Sequence, residues 1–296
     1  MTTKPKISYC LWINKEAEEA VNYYVSIFKN AKPTDIIYNP VDTPSGKTGT
    51  VLTTSFELEG QEFMILNGGP EFKLNPSISF LINCATANEV ETLWNKLSEG
   101  GKERMPLDKY PFSDKYGWIE DKYGVNWQLI LPKAEAPQKI VPSMMFVNEV
   151  YGKVEEAIAF YTAVFKDAKT GIISRYGKGM EPDKEEAINY AGFQLEGQWF
   201  AAMESAHKHN FHFDEGISFM VHCETQDEID YYWNRLTEGG KEVACGWLRD
   251  KYGVAWQIVP NMLLKQWQSE DKEKSKRVMQ AMMKMVKLDI AALEQA

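Results

Sequence analysis

The segment Asp121-Lys-Tyr-Gly-Val-Asn-Trp-Gln-Leu-Ile-Leu-Pro132 returns almost unchanged as Asp250-Lys-Tyr-Gly-Val-Ala-Trp-Gln-Ile-Val-Pro260, so the chain is a duplicated unit. The correspondence extends further. Glu18-Glu-Ala-Val-Asn-Tyr-Tyr24 matches Glu155-Glu-Ala-Ile-Ala-Phe-Tyr161, Phe56-Glu-Leu-Glu-Gly-Gln61 matches Phe193-Gln-Leu-Glu-Gly-Gln198, and Ile78-Ser-Phe-Leu-Ile-Asn-Cys84 matches Ile217-Ser-Phe-Met-Val-His-Cys223. The first copy carries about ten extra residues around Arg104–Gly117. A period this long signifies two whole domains and not a solenoid, and 296 residues is a two-domain length.

The boundary falls near Ala136, in a linker holding Pro132, Pro137 and Pro142. This predicts domains over 1–135 and 140–262, followed by an amphipathic C-terminal helix over 268–296 with a methionine-rich face, which docks on its own chain or grips a partner. A net charge of −9 is the wrong sign for covering phosphates, which argues against nucleic acid as a partner. No apolar run approaches the ~18 residues that span a bilayer, and the first residues lack a signal-peptide core, so the expectation is a cytoplasmic protein without a membrane partner. Cys10, Cys84, Cys223 and Cys245 form no Cys-x-x-Cys pair and read as buried thiols.

Periodicity orders each copy as strand, helix, strands, twice over. In the first copy Ile7–Ile13 is a strand, Glu16–Phe28 a helix, and Val51–Leu58 with Glu62–Leu66 a hairpin. Then come the strand Ile78–Cys84, the helix Asn88–Leu97 closed by Gly100-Gly101, and two strands around the turn Asp121-Lys-Tyr-Gly124.

Those motifs, with Phe72-Lys-Leu-Asn-Pro-Ser-Ile-Ser-Phe80 and the tail Arg277–Leu293, resemble the vicinal-oxygen-chelate superfamily of glyoxalases, extradiol dioxygenases and bleomycin-resistance proteins. They are most similar to its PhnB-like branch, also labelled demethylubiquinone methyltransferase-like. The resemblance implies an α+β fold: tandem glyoxalase-like domains, each of two βαβββ modules forming a cup-shaped mixed sheet, plus the C-terminal helix. It also implies that metal ligands, where present, sit on the first, fifth and last strands of each copy. Those positions fall on Gln128 and Gln257, near Ser8 or Cys10 and Pro142 or Met144, and near Ser77 and Gly216. None of these is His, Asp or Glu, so the expectation is no metal and no cofactor. A methyltransferase reading finds no Gly-x-Gly-x-x-Gly motif after a strand.

With Gln128 taken as inward, alternation puts Cys10, Trp12, Ser77, Ser79, Leu81 and Asn83 on the first cup and Met144, Phe146, Ser218, Met220, His222 and Gln257 on the second. The ligand-binding set is then Cys10, Trp12, Ser77, Gln128, Met144, Phe146, Ser218, Met220 and Gln257. The two glutamines either orient a ligand or bond to an adjacent strand or water. His222 is the general-base candidate, or a strand-end histidine bonded to a neighbour. The loop His207-Lys-His-Asn-Phe-His212 is either a solvated connection or a metal site, and the extra segment around Tyr110, Phe112 and Tyr116 is either a lid or a surface loop.

The leading expectation is a protein that binds a small, partly apolar organic molecule without a catalytic metal, its copies packed as a fused pseudo-dimer. The alternative is a metal-dependent lyase, isomerase or dioxygenase using Gln257, His222 and the histidine loop. A third reading makes the first copy a structural partner of the second.

Overall fold

The structure is a computed structural model that describes residues 5–296. The first copy runs β1 (Ile7–Ile13), α1 (Ala17–Ile27), β2 (Ala31–Tyr38), β3 (Val51–Leu58), β4 (Gln61–Asn67), β5 (Ile78–Asn83), α2 (Ala87–Ser98), β6 (Lys102–Tyr110), β7 (Ser113–Glu120) and β8 (Asn126–Ile130). The second copy runs β9 (Ile140–Val147), α3 (Val154–Val164), β10 (Lys169–Arg175), β11 (Ile188–Leu195), β12 (Gln198–Ser205), β13 (Ile217–Cys223), α4 (Gln226–Leu236), β14 (Lys241–Glu242), β15 (Trp247–Arg249) and β16 (Ala255–Pro260). The tail holds α5 (Asn261–Trp267), α6 (Lys272–Met282) and α7 (Ile290–Glu294). Among the described residues no helix is long and apolar enough to cross a membrane.

The strands form two eight-stranded mixed sheets, each of two βαβββ modules, as the α+β reading expects. The modules are nevertheless exchanged between copies. One sheet has the order β14-β15-β16-β13-β1-β4-β3-β2 and the other β10-β11-β12-β9-β5-β8-β7-β6. The first compact unit therefore joins the opening module of copy one, up to Lys73, to the closing module of copy two and the tail, from Asp214. The second unit is the continuous stretch Leu74–Phe213. The repeats mark sequence copies, and the compact units cut across them. The seam of the second unit shows why. Asn83 donates its backbone N–H to Lys139 O at 2.8 Å and its side-chain amide to Gln138 O at 2.8 Å, so the end of the linker runs along β5 and β9 continues antiparallel beside it.

Each sheet buries one face under its helices with a layer of rings. In the first unit Phe56 stacks on Tyr24 at 5.5 Å and on Phe63 at 5.2 Å, and Phe219 leans on Trp256 at 5.1 Å. In the second, Phe193 stacks on Phe200 at 5.7 Å and Phe80 leans on Trp127 at 5.4 Å. The turn before each last strand fixes its tryptophan. Asp121 accepts the backbone N–H of Tyr123 and Val125 on Oδ1 and the Trp127 indole N–H on Oδ2; Asp250 does the same for Tyr252, Val254 and Trp256. Gly124 (φ 91°) and Gly253 (φ 90°) close those turns in the left-handed region.

The tail departs from the expected single helix. After Met282 the α-helical ladder stops, and Met285 O and Val286 O accept the N–H groups of Cys245 and Gly246. Asp289 then caps α7 through Ala292 N. Leu263, Val278, Leu288 and Leu293 form a buried cluster within the tail, and Val259 of β16 packs against it.

Candidate functional site

On the concave face of the first unit β1 is the central strand, with Cys10 opposite Ser218 on β13 and beside Met64 on β4. Met220 pairs with Gln257 on β16, which pairs in turn with Trp247 on β15. A cavity of about 590 Å³ opens over this face, lined by Trp12, Met64, Phe72, Met220, Trp247 and Gln257 among others. The tail supplies the opposite wall through Leu263, Met279, Met282, Met283 and Leu288.

The cavity floor is neutral and mutually bonded. Gln257 Nε2 donates to Ser218 Oγ at 2.9 Å, and the Cys10 thiol is hydrogen-bonded to both of those side chains. Burial pushes that thiol up to about 12, so it stays protonated at neutral pH. Beyond the floor Ser8 Oγ and His222 Nε2 lie 2.7 Å apart, both buried. His222 does not line the cavity.

The wall ring is Trp12. Its indole N–H donates to Gly69 O at 2.9 Å. Gly68 lies against the ring so closely that a Cβ there would fall 2.1 Å from it. Phe72 meets Trp12 at 5.0 Å and 88°, and Trp247 meets it at 6.1 Å and 76°. Nearby, Arg249 Nε donates to Glu215 Oε1 at 2.8 Å while its Nη2 engages Oε2, a bidentate pair with Glu215 buried.

The equivalent face of the second unit keeps the floor and fills the space. Gln128 Nε2 donates to Ser79 Oγ at 2.8 Å, but here Tyr116 Oη donates to Gln128 Oε1 at 2.6 Å. Leu81, Tyr116, Val141 and Ala201 form a packed cluster there, flanked by Tyr110, Ile130, Tyr190 and Trp199. The extra segment is thus a β6–β7 hairpin whose rings plug the cup, and it is neither a lid nor a loose loop. In the first unit Cys245 stands where the second has Tyr116, each preceding Gly-Trp. That exchange of an aromatic for a thiol was the sequence signal for which cup is hollow.

Of the predicted ligand residues, Trp12, Met220 and Gln257 line the cavity, and Cys10 and Ser218 lie beneath it. Ser77 and Gln128 belong to the filled unit, so they do not share a cup with Cys10 and Trp12. Met144 and Phe146 are corrected outright. Ser143, opposite Ser79, occupies the place of Cys10, so Met144 and Phe146 point under the helices, where Phe146 meets Phe213 at 5.1 Å. The additional residues between β9 and α3 shifted the alignment of that strand by one, and one position reverses every side chain.

A divalent metal does not suit these donors: two carboxamides, serine hydroxyls and a protonated thiol. Among the described residues no group of three or more His, Cys, Asp or Glu is placed to hold one. In the histidine loop, His209 Nε2 lies 2.9 Å from Ser205 Oγ, and burial followed by the neighbouring His207 holds His209 below its usual range, hence neutral at pH 7. The loop histidines belong to the second unit, His222 and Gln257 to the first.

The family model described as 3-demethylubiquinone-9 3-methyltransferase matches residues 5–130 and again 138–259. Among solved structures, a PhnB protein from Bacillus cereus is 39% identical over 44% of this chain and 99% of its own, with a TM-score of 0.39. A protein from Staphylococcus aureus is 32% identical over 45% of this chain and 100% of its own, with a TM-score of 0.19. Glyoxalase I from Zea mays is 14% identical over 90% of this chain and 96% of its own, with a TM-score of 0.56, a likeness of fold. No curated protein matches the chain significantly.

Proposed function

The chain belongs to the 3-demethylubiquinone-9 3-methyltransferase family of PhnB-like proteins, and on that premise we propose that its first unit is a chamber that binds a small, largely apolar organic molecule without a catalytic metal. The observation that carries this reading is the contrast between the cups: one encloses about 590 Å³ lined by rings and methionines, the other is plugged. A concave, mostly apolar site with few convergent polar groups is the usual form of a small-molecule pocket. Gln257 is the polar group positioned to orient the ligand, and the methionines of floor and tail adapt to its outline. The family's methyltransferase name does not fix the reaction, since function lives in the site and not in the fold.

The test is native mass spectrometry of the tag-free full chain, with elemental analysis of the same sample. One retained organic mass per chain, lost on replacing Trp12 and kept on replacing Tyr116, is the expected result. Stoichiometric Zn, Fe, Ni or Mn would overturn it in favour of a metal-dependent enzyme.

A further inference from the structure

We propose that this chamber selects by charge, taking an organic cation such as an ammonium with apolar substituents over a neutral or anionic molecule of the same shape. The inference rests on the binding reading above and adds the ligand's charge class.

Three observations carry it. First, Trp12 forms two near-perpendicular corners, with Phe72 at 88° and with Trp247 at 76°, and all three rings line the cavity. Ring faces carry the negative lobe of the aromatic quadrupole, and tryptophan binds cations best. Second, the charged side chains of the lining are unbalanced: Asp35, Glu71, Glu215 and Glu242 against Lys241 and Arg249. Arg249 is committed to Glu215 by a bidentate pair, which leaves Lys241 as the other cation of the lining against the three carboxylates Asp35, Glu71 and Glu242. Third, Glu71 immediately precedes Phe72 of the corner, is exposed, and has no hydrogen-bond or ion-pair partner among the described residues. Asp35 and Glu242 by contrast accept from Gln268 and the Trp233 indole. A low-dielectric chamber with a carboxylate at its rim focuses a negative potential inward.

The probe set is benzyltrimethylammonium, its carbon isostere neopentylbenzene, and benzenesulfonate, titrated into the full chain by ligand-observed NMR. The cation is expected to bind at least about tenfold more tightly than the isostere, with the sulfonate weakest. Glu71→Gln, at an exposed rim position, lowers cation affinity about threefold and leaves the isostere unchanged. Trp12→Leu abolishes the preference, and should that variant fail to fold, Glu71→Gln still decides. Equal affinity for cation and isostere, or preference for the sulfonate, overturns charge selection and leaves the binding reading standing. Failure of all three probes overturns both.

Discussion

Cys10 lies beneath the chamber floor, and Cys84 is buried in the other unit. Burial raises both thiols from an ordinary 9.0 up to about 12. A group whose folded value is raised favours the folded state below its unfolded value, and that stability is withdrawn as pH climbs between the two. Thermal midpoints followed by circular dichroism are thus expected to stay level to about pH 9 and fall from there toward pH 12; a level midpoint at pH 11 would contradict this burial. A second residue-scale expectation concerns Asp250, which holds two backbone N–H groups and the Trp256 indole. Asp250→Ala leaves those buried donors unmet and should cost about 2–4 kcal/mol in urea unfolding. The aspartates were legible as turn residues from Asp-x-x-Gly. Their grip on the tryptophans needed the fold, since sequence spacing alone does not set side-chain direction.

Elements with one buried face were plain in the sequence, because alternation or helical spacing records burial. The strands that escaped notice were β2, β6, β10 and β14, which are the outer edges of the two sheets. Their side chains are largely exposed, and register shifts break the pairing of β2, β6 and β10. An edge strand buries little, so its sequence carries little pattern. The hairpin β6–β7 fills the cup of one unit, and the tail walls the cavity of the other. Tyr116→Ala should cost about 3 kcal/mol by opening a cavity in the second unit, yet leave probe affinity in the first unit unchanged. Removing residues 269–296 should do the opposite to binding, lowering probe affinity more than about tenfold as the wall formed by Met279, Met282 and Leu288 is lost. Calorimetry on both variants checks the pair, and equal losses of affinity would refute the division of roles.

At the scale of the whole chain, the exchange of modules makes a sharp prediction about fragments. The piece 74–213 contains every strand of its sheet, from β10 through β9 and β5 to β6. It should fold as a monomer, with a cooperative transition. The piece 1–135, a full sequence copy, contains half of each sheet and should dimerise or remain unfolded; light scattering on the two fragments distinguishes the cases, and a monomeric, cooperatively folding 1–135 would refute the exchange. The sequence by itself determined the duplication, the strand, helix, strands order of each module and the buried tryptophans, because each is written in local spacing or in repetition. Tertiary structure alone decided which modules share a sheet, which residues wall the hollow cup and where the tail helix breaks. Those outcomes depend on pairings such as β1 with β13 and Cys245 with Met285, between residues far apart in the chain, whose partners no local pattern names.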